Sequence, residues 1–289
     1  MGAIQPLPLI KSIDKRWVQL GKALFHSPLL SKDNSISCAS CHQTKAGGDD
    51  GFPLSIGIKN RTGNRNSPSI LNASLNFRQF WDGRSVSIQD QMIGPIHNPI
   101  EMGSNFDEII SKLRSDKTFN QAFNTLDING VTKENIILAI ATFEESLITH
   151  NSPIDNYLLG DNNALTPQQK QGLEKFQKFG CITCHQGRNI GGNLFQKIGR
   201  IDKVPKELLA DKGRYTITND INDLHVYKVP SLRNVSLTAP YFHNGSVRTL
   251  PEAVNLMAKM QLGLNLSLQD TEDIVALLGA FTGQVQDIQ

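Results

Sequence analysis

Every cysteine of this chain lies in one of two short sequences of the form Cys-x-x-Cys-His, at residues 38–42 and 181–185. Two thiols about one helical turn apart can add to the two vinyl groups of one porphyrin, and the next histidine then offers its imidazole to the iron. The pattern therefore predicts two covalently attached haem c groups. The predicted attachment residues are Cys38, Cys41, Cys181 and Cys184, and the predicted proximal iron ligands are His42 and His185.

One copy of the motif alone would leave other chemistries open. A Cys-x-x-Cys pair also occurs in thioredoxin-type redox couples, in zinc sites and as a disulfide. A four-ligand zinc site built from the cysteines of both copies would leave unexplained the histidine that follows the second cysteine in each copy. Because the two copies use all four cysteines, the pair of motifs favours haem attachment.

Composition sets the scale of the protein. A chain of 289 residues is long enough for two domains, each with its own core and one haem. Hydrophobic residues make up 39% and charged residues 19%, which is typical of a globular protein, and the formal net charge of +2 gives no reason to expect nucleic acid as a partner. No apolar run is long enough to cross a bilayer.

The first residues bear on localisation. Residues 1–6 lack the basic and apolar stretches of an export signal. Haem is normally attached to such motifs outside the bacterial cytoplasm. We therefore expect a periplasmic protein whose signal has been removed.

Apolar residues recur at the helical period in several segments, whereas alternating strand patterns are scarce. The sequence therefore predicts an all-α fold. Four helices are predicted to begin after N-cap residues, whose side chains accept hydrogen bonds from free amides of the first turn. The predicted caps are Asn105, Thr132, Thr166 and Ser267. The helix after Thr132 is predicted to run to Thr149.

Two similar segments precede the two motifs and indicate a weak internal repeat. Residues 20–25, LGKALF, precede the first motif, and residues 172–176, GLEKF, precede the second. Each is predicted to be a helix that leads into a haem site. The repeat favours two related haem domains.

A polar stretch with Pro and Gly, residues 150–163, is the predicted boundary between domains 1–155 and 156–289. Two segments with few periodic signals are predicted to be long loops that wrap the cofactors. They are residues 47–69 and 187–224.

Several longer strings identify a family. They are residues 20–25, LGKALF; 65–68, RNSP; 80–84, FWDGR; 94–95, GP, with 101–102, EM; and 237–243, LTAPYFH. With these strings the chain resembles the bacterial di-haem cytochrome c peroxidases over nearly its whole length. The resemblance implies that the N-terminal haem is a low-potential site that reduces hydrogen peroxide. The C-terminal haem is then a high-potential site that receives electrons from a small cytochrome c or blue-copper protein.

The second haem needs a sixth ligand, and the resemblance implies Met257. A thioether raises the potential, as in other His/Met cytochromes. Met260 lies three residues further along and could reach the same helix face, so it remains the competitor. A related branch oxidises tryptophans of a partner protein and has Tyr at this position. The methionine here argues against that chemistry.

The resemblance also implies residues that act on peroxide and on electrons. Glu101 matches the distal acid-base residue, and Gln91 matches its hydrogen-bonding neighbour. Trp81 matches a tryptophan between the two haems that is assigned to electron transfer. From the residues alone, Glu101 reads as a solvated carboxylate, Gln91 as a helix-face residue and Trp81 as a core aromatic.

The resemblance further implies a calcium ion between the domains. The matching positions are Asn66, through its side chain, and Thr238 and Pro240, through their carbonyl oxygens. Oxygen ligands of this kind suit a hard cation. Asn66 precedes Ser-Pro and could equally be a turn residue.

One departure from the family pattern affects the resting state. Many members hold a histidine in the loop after the first motif, where it ligates the oxidised peroxidatic iron; this chain has Ile58 there. We therefore predict a first haem that is five-coordinate or weakly water-bound when oxidised, and an enzyme that needs no ligand-releasing reduction. His26 and His97 are the nearest possible substitutes, with His97 the more plausible pocket residue, and His243 is expected near the domain interface.

The sequence is thus interpreted as a peroxidase with hydrogen peroxide as substrate. Two rivals from other classes are a di-haem oxidase acting on a protein substrate and a non-catalytic di-haem electron carrier. The carrier would need six-coordinate iron at both haems, which Ile58 and Glu101 disfavour. A homodimer is consistent with the family.

Overall fold

A computed structural model describes residues 2–8, 13–126 and 129–285. Within these ranges the chain is mainly helical. Its α-helices are α1 (Lys15–Phe25), α2 (Cys38–Cys41), α3 (Ile88–His97), α4 (Phe106–Ser115), α5 (Lys117–Asn124), α6 (Lys133–Glu145), α7 (Pro153–Leu158), α8 (Pro167–Lys178), α9 (Lys206–Leu209), α10 (Tyr215–Thr218), α11 (Leu250–Leu262) and α12 (Leu268–Gly279). Its strands are β1 (Thr149–His150), β2 (Phe195–Lys197), β3 (Val226–Lys228) and β4 (Gln284–Val285). No helix in these ranges has both the length and the apolar character needed to cross a membrane.

The first half of the chain is built on the crossing of α1 and α6. Gly21 lies at the crossing, where an added Cβ would overlap the carbonyl group of Ala139 and crowd Phe143. Leu24 and Phe25 on α1 are fully buried at the same interface. The glycine of LGKALF is therefore required for close approach of the two backbones.

The second half repeats this arrangement with α8 and α12. Gly172 lies against the carbonyl group of Asp273 and the Cβ of Leu277, so an added Cβ would again overlap backbone. The first turn of α8 is closed by a capping box between Thr166 and Gln169. The weak sequence repeat thus marks one glycine at the helix crossing of each half.

We expect Gly172→Ala to destabilise the protein by a few kcal/mol, because a backbone carbonyl cannot move aside as a flexible side chain can. Gly279→Ala is the matched control, since Gly279 has open space around it and alanine in a helix gains roughly 0.5–1 kcal/mol. Denaturant unfolding of the haem-loaded protein measures both changes. A Gly172→Ala variant as stable as wild type would contradict the close approach of the α8 and α12 backbones at Gly172.

The buried apolar residues form separate cores. One lies between Val18 and Leu147 and is built largely on α1 and α6. A second holds Ile154, Phe176 and Phe281 and is built on α8 and α12, with Ile4 from the chain start packed into it. These cores suit the predicted division at 155/156, which stays a prediction.

The helical predictions are largely confirmed. Asn105, Thr132, Thr166 and Ser267 each accept a hydrogen bond from a backbone amide of the first turn. The predicted helix end at Thr149 is wrong: α6 ends at Glu145, because Thr149 and His150 form β1, which pairs with β4.

The two predicted loops differ in their regularity. Segment 47–69 holds one 3₁₀ turn, Ile58–Asn60. Segment 187–224 is more structured than predicted, because it contains β2, α9 and α10. Strand β2 pairs with β3, so side-chain and backbone partners distant in sequence order this segment.

Candidate haem sites and peroxide pocket

The first motif forms the short helix α2, and the His42 amide donates to the Cys38 carbonyl at 3.0 Å. His42 Nδ1 lies 3.1 Å from the Gly48 carbonyl oxygen and 3.3 Å from Ser67 Oγ. These contacts leave Nε2 as the nitrogen for a metal. Burial lowers the pKa of His42, which favours the neutral, ligating imidazole.

A cavity of about 810 Å³ opens beside this motif. Its lining includes Cys38, Cys41, His42, Trp81, Gln91 and Glu101. The cavity is of the size of cofactor sites and is apolar over much of its wall. Two thiols and an imidazole in the lining of one large cavity therefore fit a covalently attached haem.

Glu101 is positioned by a turn that folds back on the end of α3. Pro95 lacks an amide hydrogen, and α3 ends at His97, before Pro99. Met102 N donates to the Pro95 carbonyl at 3.1 Å, and Ser104 N donates to the Ile96 carbonyl at 2.8 Å. The turn brings Glu101 to the cavity that Gln91, on α3, also lines.

Two neighbours act on the Glu101 carboxylate: Asn98 orients it by a hydrogen bond, and the charge of Arg84 affects its pKa. Asn98 Nδ2 donates to Glu101 Oε1 at 2.9 Å. Burial raises the pKa of Glu101, although the hydrogen bond from Asn98 and the charge of Arg84 oppose the shift. A carboxyl group of raised pKa is suited to take up and release a proton.

The loop with Ile58 is packed under the Glu101 turn. Ile58 is 4% exposed, and its amide donates to the Glu101 carbonyl oxygen at 2.9 Å. Gly57 N donates to the Arg61 carbonyl at 2.8 Å, which closes the loop on itself. The side chain that replaces the family histidine is therefore a buried support of the Glu101 turn.

The other two histidines considered as substitutes lie elsewhere. His97 is exposed, and its ring lies 5.8 Å from the ring of Phe106. His26 is exposed on the end of α1, with Nδ1 2.9 Å from the Lys22 carbonyl oxygen. Neither histidine lines the cavity beside the first motif. The prediction of His97 as a pocket residue is therefore wrong, because its ring packs against Phe106 at the start of α4.

Trp81 connects the first cavity to residues of the second half. Its Nε1 donates to the Asn66 carbonyl oxygen at 2.9 Å, and its own carbonyl accepts from Lys228 N at 2.8 Å. Its ring lies edge-on to His243 at 6.2 Å. Trp81 also packs against a small cluster that contains the buried Met260.

The second motif follows α8 directly. Gly180 has a left-handed backbone conformation, φ +90°, that ends the helix, and the turn Cys181–Thr183 follows. The His185 amide donates to the Cys181 carbonyl at 3.0 Å, as in the first motif. Burial lowers the pKa of His185 to about 4, so this imidazole is also neutral and suited to bind iron.

The two methionines of α11 have different environments. Met260 is fully buried in a cluster with Leu208 and Tyr227. Met257 is half-buried at the edge of the same cluster. Met260 therefore fills the core, which favours Met257 as the sulfur available to a ligand.

Asn66, one residue of the expected calcium site, contacts the segment that follows the other two. Asn66 is 6% exposed, and its Nδ2 donates to the Phe52 carbonyl at 2.9 Å, which leaves Oδ1 available as a ligand. Its amide donates to the His243 carbonyl at 2.8 Å, close in sequence to Thr238 and Pro240. The described residues hold no group of three or more His, Cys, Asp or Glu side chains that could bind a metal.

An ion-pair network holds these segments together. Arg65 donates to the two carboxylate oxygens of Asp211 at 2.6 and 3.0 Å and also pairs with Asp82. Tyr227 donates through its hydroxyl to the Asp211 carbonyl at 2.8 Å, and its ring stacks on His243 at 4.3 Å. His243 thus contacts residues from both halves of the chain.

Glu144, on α6, also lines the first cavity, and no sequence pattern marked it. It is 6% exposed, and burial raises its pKa to about 8, with a further contribution from Glu145. Helical periodicity cannot distinguish a buried carboxyl group that faces a cofactor from one that faces water.

Glu144→Gln should change how stability depends on pH. The folded protein binds the Glu144 proton more tightly than the unfolded chain does, so the free energy of unfolding falls as pH rises from about 4.5 to about 8. The loss is on the order of a few kcal/mol. Thermal melts should show the variant above wild type at alkaline pH and equal to it at acid pH. Glu174→Gln, at an exposed position of α8, is the control, and equal melting temperatures of Glu144→Gln and wild type at alkaline pH would contradict the raised pKa of Glu144.

Comparison with known proteins identifies the class. Residues 15–163 match the family model described as di-haem cytochrome c peroxidase, and residues 226–261 match one described as RoxA-like, cytochrome c-like. The chain belongs to the di-haem cytochrome c peroxidase family. The predicted family, the enzyme class and the haem c cofactors are thereby confirmed.

Individual relatives agree with the family. The chain is 46% identical to the cytochrome c peroxidase Ccp of Escherichia coli over 293 residues, which cover 99% of this chain and 63% of that protein. It is 41% identical to the cytochrome c551 peroxidase of Pseudomonas aeruginosa, with 94% of this chain and 80% of that protein covered. The chain thus spans less than two thirds of the length of the Escherichia coli relative.

Solved structures share the fold. A MauG-like protein associated with microbial copper homeostasis superposes with a TM-score of 0.85 at 26% identity, covering all of this chain and 97% of that one. The diheme peroxidase BthA of Burkholderia thailandensis superposes with a TM-score of 0.78 at 20% identity, covering 96% and 90%. The mainly helical, cytochrome c-like fold is confirmed.

Proposed function

We propose that this protein reduces hydrogen peroxide to water at a haem bound by Cys38, Cys41 and His42. The proposal is supported by one cavity whose lining contains these three residues together with Gln91 and the oriented Glu101. The haem supplies the redox chemistry of oxygen–oxygen bond cleavage.

The protein residues supply proton movement and orientation. Glu101 accepts a proton from the near oxygen of peroxide and donates it to the far oxygen, which leaves as water. Asn98 fixes the Glu101 carboxylate, and Gln91 donates a hydrogen bond to the bound peroxide. His42 stays neutral and is held by the Gly48 carbonyl.

Cys181, Cys184 and His185 would hold the second haem together with Met257, and this haem would supply one-electron transfer. The donor is a small cytochrome c or a blue-copper protein that docks on domain 156–289. Trp81 lies on the route to domain 1–155, which is supported by its contacts with both the first cavity and the cluster beside Met257.

A haem held by Cys38, Cys41 and His42 would stay accessible to peroxide in the oxidised protein. Ile58 has no atom that can ligate iron, and it is buried beneath the Glu101 turn. We expect no reductive activation before the first turnover.

Calcium binds at Asn66, Thr238 and Pro240, supported by the free Oδ1 of Asn66 at the junction of the two halves. The enzyme works in the periplasm, where haem is attached to such motifs, and forms a homodimer as is common in its family.

Steady-state consumption of peroxide by the di-haem protein with a reduced small cytochrome c tests the activity. We expect peroxide to be consumed only when both the di-haem protein and the reduced cytochrome are present. A protein that only exchanges electrons with the cytochrome, without consuming peroxide, is the electron carrier. Oxidation of tryptophans in a candidate protein substrate, without turnover of the cytochrome, is the result expected for the protein oxidase.

A further inference from the structure

Asp49 is a buried carboxylate without a hydrogen-bond partner. The residue is 2% exposed, and neither Oδ1 nor Oδ2 has a partner within hydrogen-bond geometry among the described residues. The amides of Asp49 and Gly51 face the carboxylate, but from outside that geometry. A buried anion left in this way costs several kcal/mol unless a cation or a donor compensates it.

The described residues offer Asp49 no positive side chain. Among these residues Asp49 forms no ion pair. The one charged side chain that shifts its pKa is another acid, Asp50. Asp50 itself accepts from Phe52 N at 3.0 Å. A cation bound from outside the polypeptide would supply the charge that these residues lack.

Asp49 lies against the segment that carries two of the expected calcium ligands. Asp49 Oδ1 and the Leu237 carbonyl oxygen both lie next to Gly47. They would be 2.9 and 2.8 Å from a Cβ atom added to that glycine, so the two oxygens are close to one another. On the far side of the same segment, the Asp49 charge raises the pKa of Tyr241, after the larger effect of burial. Leu237 and Tyr241 bracket Thr238 and Pro240, so the carboxylate faces this segment.

The loop of Asp49 is also joined to the third expected ligand. Asn66 Nδ2 donates to the Phe52 carbonyl at 2.9 Å, three residues after Asp49. Gly48 N donates to the Gln43 carbonyl at 3.0 Å, which closes the loop beneath the carboxylate. One short loop thus connects Asp49 with Asn66 and the segment 237–241.

We propose that Asp49 is a calcium-binding carboxylate at the junction of the two halves, in addition to Asn66, Thr238 and Pro240. The inference rests on the calcium ion of the proposed function. Asn66 and the two carbonyl groups are neutral, so Asp49 supplies the negative charge that a hard divalent cation favours. The cation in turn compensates the buried carboxylate.

Calcium titration of the haem-loaded protein, after treatment with a chelator, tests the proposal by calorimetry. Wild type should bind one calcium ion, and Asp49→Asn should weaken its affinity roughly 10–100-fold. Asp107→Asn is the control, since Asp107 is exposed on α4 and distant in sequence from the loop. Its affinity should equal that of wild type.

Thermal melts with chelator and with calcium separate the two possible failures. Calcium should raise the melting temperature of wild type more than that of Asp49→Asn, while the variant should be at least as stable as wild type in chelator, because it removes an uncompensated charge. Normal calcium affinity in Asp49→Asn would overturn the role of Asp49 and leave the calcium site standing. Absence of calcium binding by wild type would overturn the site itself, and equal destabilisation of the variant in both conditions would make Asp49 structural.

Discussion

Glu101→Gln should lower kcat/KM for peroxide by roughly 10²–10⁴-fold, the usual contribution of a positioned acid-base group. Glutamine keeps the shape and the contact with Asn98 Nδ2, which donates at 2.9 Å, but it cannot take up the proton. Both haems should remain attached, with unchanged absorption spectra. Steady-state kinetics with a reduced small cytochrome c measures the loss.

The pH dependence of the same reaction gives a second readout. Burial raises the pKa of Glu101, so its carboxylate is lost as pH falls through that raised value. The rate of the wild type should fall on this acid side, and the Glu101→Gln variant should lack this dependence. Glu174→Gln, at an exposed position of α8, is the control that should retain wild-type kinetics. A Glu101→Gln variant of full activity would remove Glu101 from the mechanism.

Met257→His should lower the reduction potential of the second haem by on the order of a few hundred millivolts, because a thioether ligand favours the reduced iron and an imidazole does not. Spectroelectrochemical titration of the two haems measures the change. The first haem should keep its potential. Electron delivery from a high-potential donor should slow accordingly.

Met260→Leu is the matched control for the second haem. Met260 is fully buried in the cluster with Leu208 and Tyr227, so leucine should cost less than about 1.5 kcal/mol of stability and leave both potentials unchanged. A lowered potential in Met260→Leu, with none in Met257→His, would reverse the assignment of the two sulfurs.

Much of the fold could be predicted because its signals are local. The N-caps Thr166 and Ser267 act within one turn, and the apolar stripe of α12 follows the helical period, so the sequence marked both helices. The end of α6 could not be predicted in this way, because β1 forms only by pairing with β4, more than a hundred residues away. Segment 187–224 contains β2 for the same reason.

The site was predictable to the extent that a motif carried it. The Cys-x-x-Cys-His spacing marked His42 and His185, and the resemblance to the family pointed to Glu101 and Met257, whose roles stay predictions. Asp49 and Glu144 escaped detection because only tertiary packing buries them. Their residue types are as common on surfaces as beside cofactors, so no local pattern separates the two cases.

We infer that the iron bound by His42 is open to peroxide in the oxidised protein. Paramagnetic resonance of the fully oxidised di-haem protein, before any reduction, tests it most directly because it reports spin state and axial ligation at each iron. We expect a high-spin signal from the first haem, which should be five-coordinate or weakly water-bound. The second haem should give a low-spin signal with His/Met ligation. Two low-spin haems, one of them with bis-histidine ligation at His42, would contradict it.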